Sequence, residues 1–232
     1  MESLDIEIIR IINQFAQQYP FFDRVFSTIG GHLFRTVPLV ALVWWAWFRP
    51  SKTVDTDRER LISTLLFCMV AIIIAKLMSV CLPFRVRPLA IPGLVSRLPA
   101  SATLAWEKMS SFPSDHAVLF FTLSTGLTFV SRPVGIFAYT FTILFVCLPR
   151  IYIGEHYPTD IIAGALVGIG VGWVANIRSV SSFMARLPVH LLRVKQGVFY
   201  ALLFVMTFLI GTVGNDIRNL IEAFFHLLTR SK

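Results

Sequence analysis

The sequence predicts an all-α fold, a polytopic bundle of six transmembrane helices with an amphipathic helix at each end. Of its 232 residues, 56% are hydrophobic, whereas an ordinary soluble domain is about 45–50% apolar. Its mean hydropathy is +0.72. Several apolar segments approach the roughly 20 residues that a helix needs to cross a bilayer core about 30 Å thick. A soluble domain with unusually buried helices is the alternative, and the number of long apolar segments argues against it.

Six apolar segments are the candidate transmembrane helices. They lie at about residues 32–48, 59–82, 116–131, 133–149, 159–177 and 197–213. In the fifth segment, Gly164, Gly168 and Gly172 recur at every fourth position. Glycines at this spacing let a neighbouring membrane helix approach closely. The fifth segment is therefore predicted to pack tightly against another span.

The two ends of the chain are predicted to form helices that lie in the membrane interface, at about residues 4–18 and 215–230. The first of them repeats apolar residues at helical spacing, among them Leu4, Ile8 and Ile11, as interfacial helices do. It lacks the basic start and the cleavable apolar core of a signal peptide.

These segments are predicted to form one membrane-embedded domain, 1–232, whose motif-bearing core lies at about 60–178. Residues 179–195 are predicted to be an interfacial linker. Six spans place both termini on the same side of the membrane. The lysines and arginines of the loops nearly balance across the two sides. If some loop arginines bind substrate, the remaining bias puts the 49–60 loop inside and both termini outside.

The net charge of +8 favours contact with anionic lipid head groups rather than with nucleic acid, because the basic residues lie between apolar spans. The three cysteines, Cys68, Cys81 and Cys147, lie in or next to apolar segments. They show no metal-ligand spacing, and an odd number argues against a disulfide framework. We expect them to be packing residues, and we expect neither a metal nor a cofactor.

Two polar clusters lead into apolar segments, "SSFPSDHAVLFF" at 110–121 and "PRIYIGEHYPTDIIAGALVG" at 149–168. On the six-span topology, the loops 83–115 and 150–158 face the same side of the membrane. Ionisable groups at membrane depth are costly and usually mark a functional site. The residues expected to converge there are Arg85, Arg87, Ser114, His116, Arg150, His156 and Asp160.

The basic residues of this cluster suit a phosphate group. Arginine forks match phosphate oxygens with paired hydrogen bonds, and Arg87 and Arg150 are the candidates. The N-terminal end of a helix offers unpaired N–H groups and a partial positive charge, which the first turn after Ser114 is expected to supply. Glu155 would repel phosphate and is predicted to point away.

The histidines suit covalent phosphoryl transfer. Histidine acts as a nucleophile or as a proton donor near neutral pH. His156 is predicted to attack phosphorus, and His116 to protonate the departing oxygen and then to activate water. Asp160 follows His156 by four residues, in the first turn of a helix opened by Pro158, and is predicted to hold its imidazole in one tautomer. Asp115 is predicted to cap its helix and is given no chemical role.

These segments resemble the type 2 phosphatidic acid phosphatase family, whose motifs are K-x6-RP, PSGH and SR-x5-H-x3-D. The segment "PRIYIGEHYPTD" matches the third motif from Arg150 onward, with Pro149 in place of the leading serine. The segment "PSDH" matches the second, with Asp115 in place of glycine. "SFPSDHA" and "GEHYPTD" together are most similar to the bacterial undecaprenyl-diphosphate phosphatase branch. The resemblance covers roughly residues 60–178 and implies the same nucleophile, acid and orienting roles.

The first motif departs from the family pattern. In "KLMSVCLPFRVRP", Lys76 precedes Arg87 by eleven residues rather than seven. Either the loop carries extra residues, or Lys76 is not the lysine of the motif and only extends its side chain to the interface. Arg85 is a second candidate beside Arg87. Lys76 and Arg85 are both retained as candidate phosphate ligands.

The resemblance implies a metal-independent lipid phosphatase of the bacterial inner membrane with its site on the outer face. Undecaprenyl diphosphate, cleaved to the monophosphate, is the best expectation for the substrate. Other lipid phosphates are alternatives, namely phosphatidylglycerol phosphate, phosphatidic acid and lipid A. A lipid phosphotransferase is a further alternative, as is a non-catalytic transporter or anionic-lipid-binding membrane protein.

Overall fold

The computed structural model describes residues 2–14, 18, 19, 21, 24, 32–95 and 110–212, and within these ranges its regular elements are all helical. This confirms the predicted all-α class for the described part of the chain. The helices are α1 (Glu2–Asn13), α2 (His32–Phe48), α3 (Val54–Cys81), α4 (Asp115–Val130), α5 (Arg132–Tyr152), α6 (Pro158–Ala175), α7 (Arg178–Val194) and α8 (Gln196–Gly211).

Three of these helices, α3, α5 and α6, are long and apolar enough to cross a membrane, judged over the described residues. They coincide with the second, fourth and fifth predicted spans. The other three predicted spans fall on shorter apolar helices, Thr36–Phe48, Asp115–Val130 and Gln196–Gly211. The helix α4, with 16 residues, is about 24 Å long at 1.5 Å per residue. It is bounded by its capping residues Ser114 and Ser131, the second of which lies two residues before Pro133.

The central helix of the bundle is α4, which packs against α3, α5 and α6. Phe120 and Leu123 of α4 lie in the main core beside Leu61 of α3 and Trp47 of α2. Trp47 also stacks on Phe199 of α8, with ring centroids 5.3 Å apart. The core therefore holds α4 in place from several sides.

A close contact joins α4 and α6 through the three glycines predicted to mediate tight packing. A Cβ atom added at Gly164 would lie 2.7 Å from the Ser114 carbonyl oxygen, and one added at Gly168 would lie 2.4 Å from the Val118 carbonyl oxygen. At Gly172 it would lie 2.6 Å from a side-chain atom of Thr125. The glycine prediction is thus confirmed, and the contact brings the first turns of α4 and α6 together.

The segment predicted as an interfacial linker, 179–195, is instead almost entirely the helix α7, which packs along α3. Ser181 and Ala185 of α7 are buried. Cys68 and Cys147 are buried as predicted, whereas Cys81 is exposed at the end of α3 and takes no part in core packing.

The N-terminal segment, predicted as a helix at about 4–18, is helical over α1, and residues 15–17 lie outside the described part of the chain. Ile9 and Asp5 on one face of α1 are completely buried. Asn13 at the end of the helix donates a hydrogen bond to the Tyr152 carbonyl oxygen, 3.2 Å away. The predicted C-terminal helix at about 215–230 lies outside the described residues.

Candidate active site

The site forms where the N-terminal ends of α4 and α6 meet. The backbone N–H of Ser114, just before α4, donates to the Asp160 carbonyl oxygen in the first turn of α6, 3.2 Å away. The Ser114 hydroxyl accepts a hydrogen bond from the Ala117 N–H, so Ser114 caps α4 as serine commonly does. The segments that carry the two motif histidines are therefore joined directly.

His156 is buried in the loop that precedes α6, with 2% of its surface exposed. Its Nδ1 atom lies 2.8 Å from the Ser111 carbonyl oxygen. A carbonyl oxygen only accepts hydrogen bonds, so Nδ1 carries a hydrogen, and in the neutral ring Nε2 keeps its lone pair. Nε2 is buried and has no hydrogen-bond partner among the described residues. This is the tautomer that a nucleophilic imidazole requires.

Asp160 lies beside His156 but makes different hydrogen bonds from those predicted. One carboxylate oxygen, Oδ2, accepts from the Tyr157 N–H at 2.8 Å and lies 3.8 Å from Nδ1 of His156. The other, Oδ1, accepts from Arg85. Both oxygens are thus committed to the first turn of α6 and to a guanidinium. The hydrogen bond that fixes the His156 tautomer is instead donated by Nδ1 to the Ser111 carbonyl oxygen, and Asp160 contributes a negative charge nearby.

His116, also almost fully buried, is paired with the residue that precedes it. Its Nδ1 atom lies 2.7 Å from a carboxylate oxygen of Asp115, and the other oxygen of Asp115 lies 3.2 Å from the Lys76 ammonium. Asp115, predicted only to cap its helix, therefore contacts the predicted acid. Lys76, a candidate phosphate ligand, has this carboxylate as its partner. The feature of the sequence that indicates this contact is Asp115 itself, which occupies the position of the glycine in the PSGH motif.

Arg85, the second candidate phosphate ligand from the first motif, lies between two buried carboxylates. It contacts Asp5 at 2.7 Å and also Asp160, and its guanidinium carbon lies 4.0 Å from the centre of the Tyr157 ring. Burial works against its charge, but the hydrogen bonds and charges of Asp5 and Asp160 outweigh burial and raise its pKa above the usual value. Its guanidinium is thus used to hold side chains of the protein.

Arg87 and Arg150 are the buried cations of the site, with 7% and 4% of their surfaces exposed. Arg87 donates to the Glu155 carbonyl oxygen at 3.0 Å and to the Ser110 carbonyl oxygen at 3.4 Å. Burial lowers the pKa of Arg87 below its usual value, although the negative charge of Glu155 opposes this shift. Arg87 and Arg150 both contact Glu155, through its carbonyl oxygen and its carboxylate, and two guanidinium groups so placed suit a ligand with several negative oxygens.

The prediction that Glu155 points away from the site is wrong. Its carboxylate accepts a short hydrogen bond from Arg150. The physical reason is the burial of Arg150, since a buried cation without a counter-ion is costly. The Nε atom of Arg150 is also buried and has no partner in the described part of the chain.

The loop that carries His156 is hydrogen-bonded to the connection that carries Arg85 and Arg87. Gly154 adopts a φ angle of +75°, which favours glycine, and its carbonyl oxygen accepts from the Leu89 N–H at 2.9 Å. The Ser111 N–H likewise donates to the Arg85 carbonyl oxygen at 2.9 Å. Residues 96–109 of the same connection lie outside the described ranges.

The arrangement supplies a nucleophilic nitrogen, a second imidazole beside a carboxylate, and buried cations on neighbouring segments. Among the residues that the structure describes, no group of three or more histidine, cysteine, aspartate or glutamate side chains is placed to hold a metal ion. Sequence reasoning missed Ser111 because it acts through its backbone carbonyl. It also missed Asp5, which precedes its partner Thr159 by 154 residues.

Known proteins share both the motif segment and the helical architecture. Residues 80–184 match the PAP2 superfamily. The chain is 29% identical over 167 residues to the bacitracin transport permease protein BcrC of Bacillus licheniformis, which covers 72% of this chain and 76% of that protein. It is 24% identical over 169 residues to the putative undecaprenyl-diphosphatase YbjG of Escherichia coli, covering 73% and 79%. The crystal structure of Aquifex aeolicus LpxE is similar, with a TM-score of 0.55 and 25% identity, covering 74% of this chain and 94% of that one.

The matched segment includes the ends of α4 and α6 and both buried histidines. Three described helices are long and apolar enough to span a membrane, and one relative is named as a transport permease. The chain is therefore an integral membrane protein. Its residues 80–184 form a PAP2 superfamily domain, and the chain is a phosphoric ester hydrolase.

Proposed function

We propose that this protein is a metal-independent lipid phosphatase that works through a phosphohistidine and converts undecaprenyl diphosphate to the monophosphate. The observation that carries the proposal is the contact between Nδ1 of His156 and the Ser111 carbonyl oxygen. It leaves the buried Nε2 atom with a lone pair, in a cluster that also contains Arg87 and Arg150. A nucleophile beside fixed positive charges is what attack on a phosphate group needs.

In the first step, Nε2 of His156 attacks the terminal phosphorus of the lipid diphosphate. The bond from that phosphorus to the bridging oxygen breaks, and its electron pair goes to the lipid monophosphate. His116, in its protonated form, gives the Nε2 proton to this departing oxygen. The products of the step are the lipid monophosphate and a phosphoryl group bound to His156.

In the second step, water attacks the phosphorus of phosphohistidine. The now neutral His116 takes a proton from the water, the N–P bond breaks, and inorganic phosphate leaves. His156 and His116 return to their starting forms. The sum of the two steps is hydrolysis of one phosphoanhydride bond.

The basic residues hold and neutralise the phosphoryl oxygens. Arg150 and Arg87 are proposed as the principal ligands, with the first N–H groups of α4 after Ser114 as further donors. Lys76 and Arg85 act from further away. Lys76 acts through its partner Asp115, and Arg85 acts through its partner Asp160. Phosphoryl transfer depends mainly on such positioning and charge stabilisation.

Six helices, α2 to α6 and α8, are proposed to span the membrane, with α1 at its surface. The protein is proposed to lie in a bacterial inner membrane with the ends of α4 and α6 facing outward, as the loop charges suggest. A head group at that level reaches His156 while its tail stays in the bilayer. The name of YbjG, an undecaprenyl-diphosphatase, supports a polyprenyl diphosphate as substrate.

The test is release of inorganic phosphate by the purified protein in detergent, with a metal chelator present. Undecaprenyl diphosphate is compared with phosphatidylglycerol phosphate, phosphatidic acid and lipid A. His156→Ala is expected to abolish release, whereas His190→Ala, an exposed histidine on α7, is expected to behave as wild type. Loss of activity with chelator, or full activity of H156A, would contradict the mechanism.

The same protein and the H156A variant also separate the two alternative functions, a lipid phosphotransferase and a transporter. A lipid phosphotransferase would transfer labelled phosphate to an added lipid acceptor in preference to water. A transport function, which the name of BcrC of Bacillus licheniformis describes for that protein, requires the arginines but not the nucleophile. H156A would then retain transport and phosphate binding.

A further inference from the structure

The N-terminal helix α1 directs a buried carboxylate toward the site. Asp5 is completely buried, whereas Leu4 and Glu7 beside it are exposed. Burying a carboxylate is costly unless charge and hydrogen bonds compensate it. A helix that served only to anchor the chain at the membrane surface would have no reason to bury this group.

The buried charge of Asp5 is compensated by hydrogen bonds from residues next to the proposed catalytic groups. One oxygen accepts from the Arg85 guanidinium at 2.7 Å and from the Thr159 hydroxyl. The other accepts from the Thr159 backbone N–H at 3.1 Å. This N–H belongs to the first turn of α6, where helix N–H groups have no partner within the helix. Asp5 therefore caps α6 from a distant part of the chain.

The contacts continue from Asp5 to the nucleophile. Arg85 joins Asp5 to Asp160, and Asp160 lies 3.8 Å from Nδ1 of His156. On this basis, and assuming the phosphatase function proposed above, we propose that Asp5 is a positioning residue for the reaction. Its carboxylate holds Arg85 and the first turn of α6, so that Asp160 and His156 keep their placement. The helix α1 is thereby part of the active site.

The charge of Asp5 also matters. Asp5, Arg85 and Asp160 together carry one net negative charge close to the imidazole of His156. Without the charge of Asp5 the three groups are neutral, and less negative charge lies beside the imidazole of His156. The other charged groups of the cluster, Arg87, Arg150, Glu155, Asp115 and Lys76, are unaltered. The acidic limb of the kcat/KM profile, which reports loss of the proton from the nucleophile, then moves to lower pH.

The experiment compares Asp5→Asn with Glu7→Gln, which makes the same carboxylate-to-amide change on an exposed face of α1. D5N is expected to lower kcat by about 100-fold, the size of effect that a misplaced reacting group produces. We expect KM to change by less than about threefold, since Asp5 does not contact the phosphate, and the acidic limb to shift downward. E7Q is expected to match wild type in all three quantities.

Each outcome bears on a distinct claim. If wild-type protein releases no phosphate from any lipid of the panel, the proposed function fails. If wild type is active and H156A is inactive, but D5N has the kcat and pH profile of E7Q, the role of Asp5 is refuted. Should D5N not fold, Thr159→Val removes the hydroxyl contact and leaves α1 intact. T159V is expected to show a smaller loss of kcat with the pH profile of wild type, because Asp5 keeps its charge. Wild-type kcat in T159V would refute the role equally.

Discussion

Nδ1 of His156 lies 2.8 Å from the Ser111 carbonyl oxygen and 3.8 Å from the Asp160 carboxylate. The tautomer of the proposed nucleophile is therefore fixed by the backbone, and the neighbouring carboxylate contributes charge without sharing that hydrogen bond. Substitutions of Asp160 should accordingly be milder than substitutions of an aspartate that alone sets a tautomer.

Asp160→Asn is expected to lower kcat by about 100-fold. In a Ser-His-Asp triad the same change costs roughly 10⁴-fold, because the wrong tautomer forms. Here Ser111 still selects the correct one, and the loss reflects the missing charge and the weakened contact with Arg85. Steady-state phosphate release measures the effect. Asp57→Asn, a buried carboxylate paired with Arg49, is the control, and a loss near 10⁴-fold in D160N would show that Ser111 does not hold the ring.

Asp115→Asn is expected to move the basic limb of the pH–rate profile to lower pH. The first step needs protonated His116, and the carboxylate at 2.7 Å stabilises that form. Its removal favours the neutral ring, so activity is lost at lower pH. Lys76→Met should produce the opposite shift, because it leaves the charge of Asp115 unopposed.

The paired variants also test the two interpretations of Lys76. As a partner of Asp115, Lys76 influences the pH profile and has little effect on KM. As a phosphate ligand, it would raise KM on substitution and leave the basic limb where it was. A raised KM with an unchanged basic limb would show that Lys76 binds phosphate, as the lysine of the first family motif is expected to do.

The helices were predictable because apolar length and glycine spacing are local properties of the chain. The spacing of Gly164, Gly168 and Gly172 predicts tight packing of α6 against a neighbouring helix, and the structure shows that this helix is α4. The motif spacing likewise put Arg150, His156 and Asp160 around the start of one helix, where the structure has them. These features depend on residues that are near one another in the sequence.

The features that escaped prediction depend on tertiary structure or on the backbone. Any residue could supply the carbonyl of Ser111, so the residue type carries no signal. In the sequence, Asp5 is one of several acidic residues in an amphipathic helix, and nothing distinguishes it from the others. Only the packing of α1 places it beside Thr159. Repulsion between Glu155 and a phosphate predicts that its side chain points away, whereas its carboxylate balances the charge of buried Arg150.

Glu155→Gln is expected to strengthen binding of phosphate. The carboxylate of Glu155 occupies Arg150 and must release it when substrate binds. A hydrogen bond to a charged group contributes about 1.5–3 kcal/mol, so the inhibition constant for inorganic phosphate should fall by at least about tenfold. Glu59→Gln removes a comparable partner from Arg178 on α7 and should leave inhibition unchanged. Weaker inhibition in E155Q would mean that Glu155 orients Arg150 for substrate.

Gly164→Ala is expected to impair both stability and activity. The added Cβ atom would lie 2.7 Å from the Ser114 carbonyl oxygen, a backbone atom that cannot move without shifting the start of α4. Overpacking of this kind costs about 1–3 kcal/mol, and displacement of the reacting groups by about 1 Å lowers kcat by up to about 100-fold. Thermal unfolding in detergent and phosphate release measure the two effects.

Two further glycines of α6 separate the effect on the site from the effect on stability. Gly172→Ala also meets α4, 2.6 Å from Thr125, but two helical turns from Gly164. It should lower the unfolding temperature and change kcat by less than G164A does. At Gly170 a Cβ atom meets nothing within 4 Å among the described residues, so G170A should keep wild-type kcat and gain up to about 1 kcal/mol from better helix propensity. Equal kcat in G164A and G170A would show that the contact between α4 and α6 does not position the site.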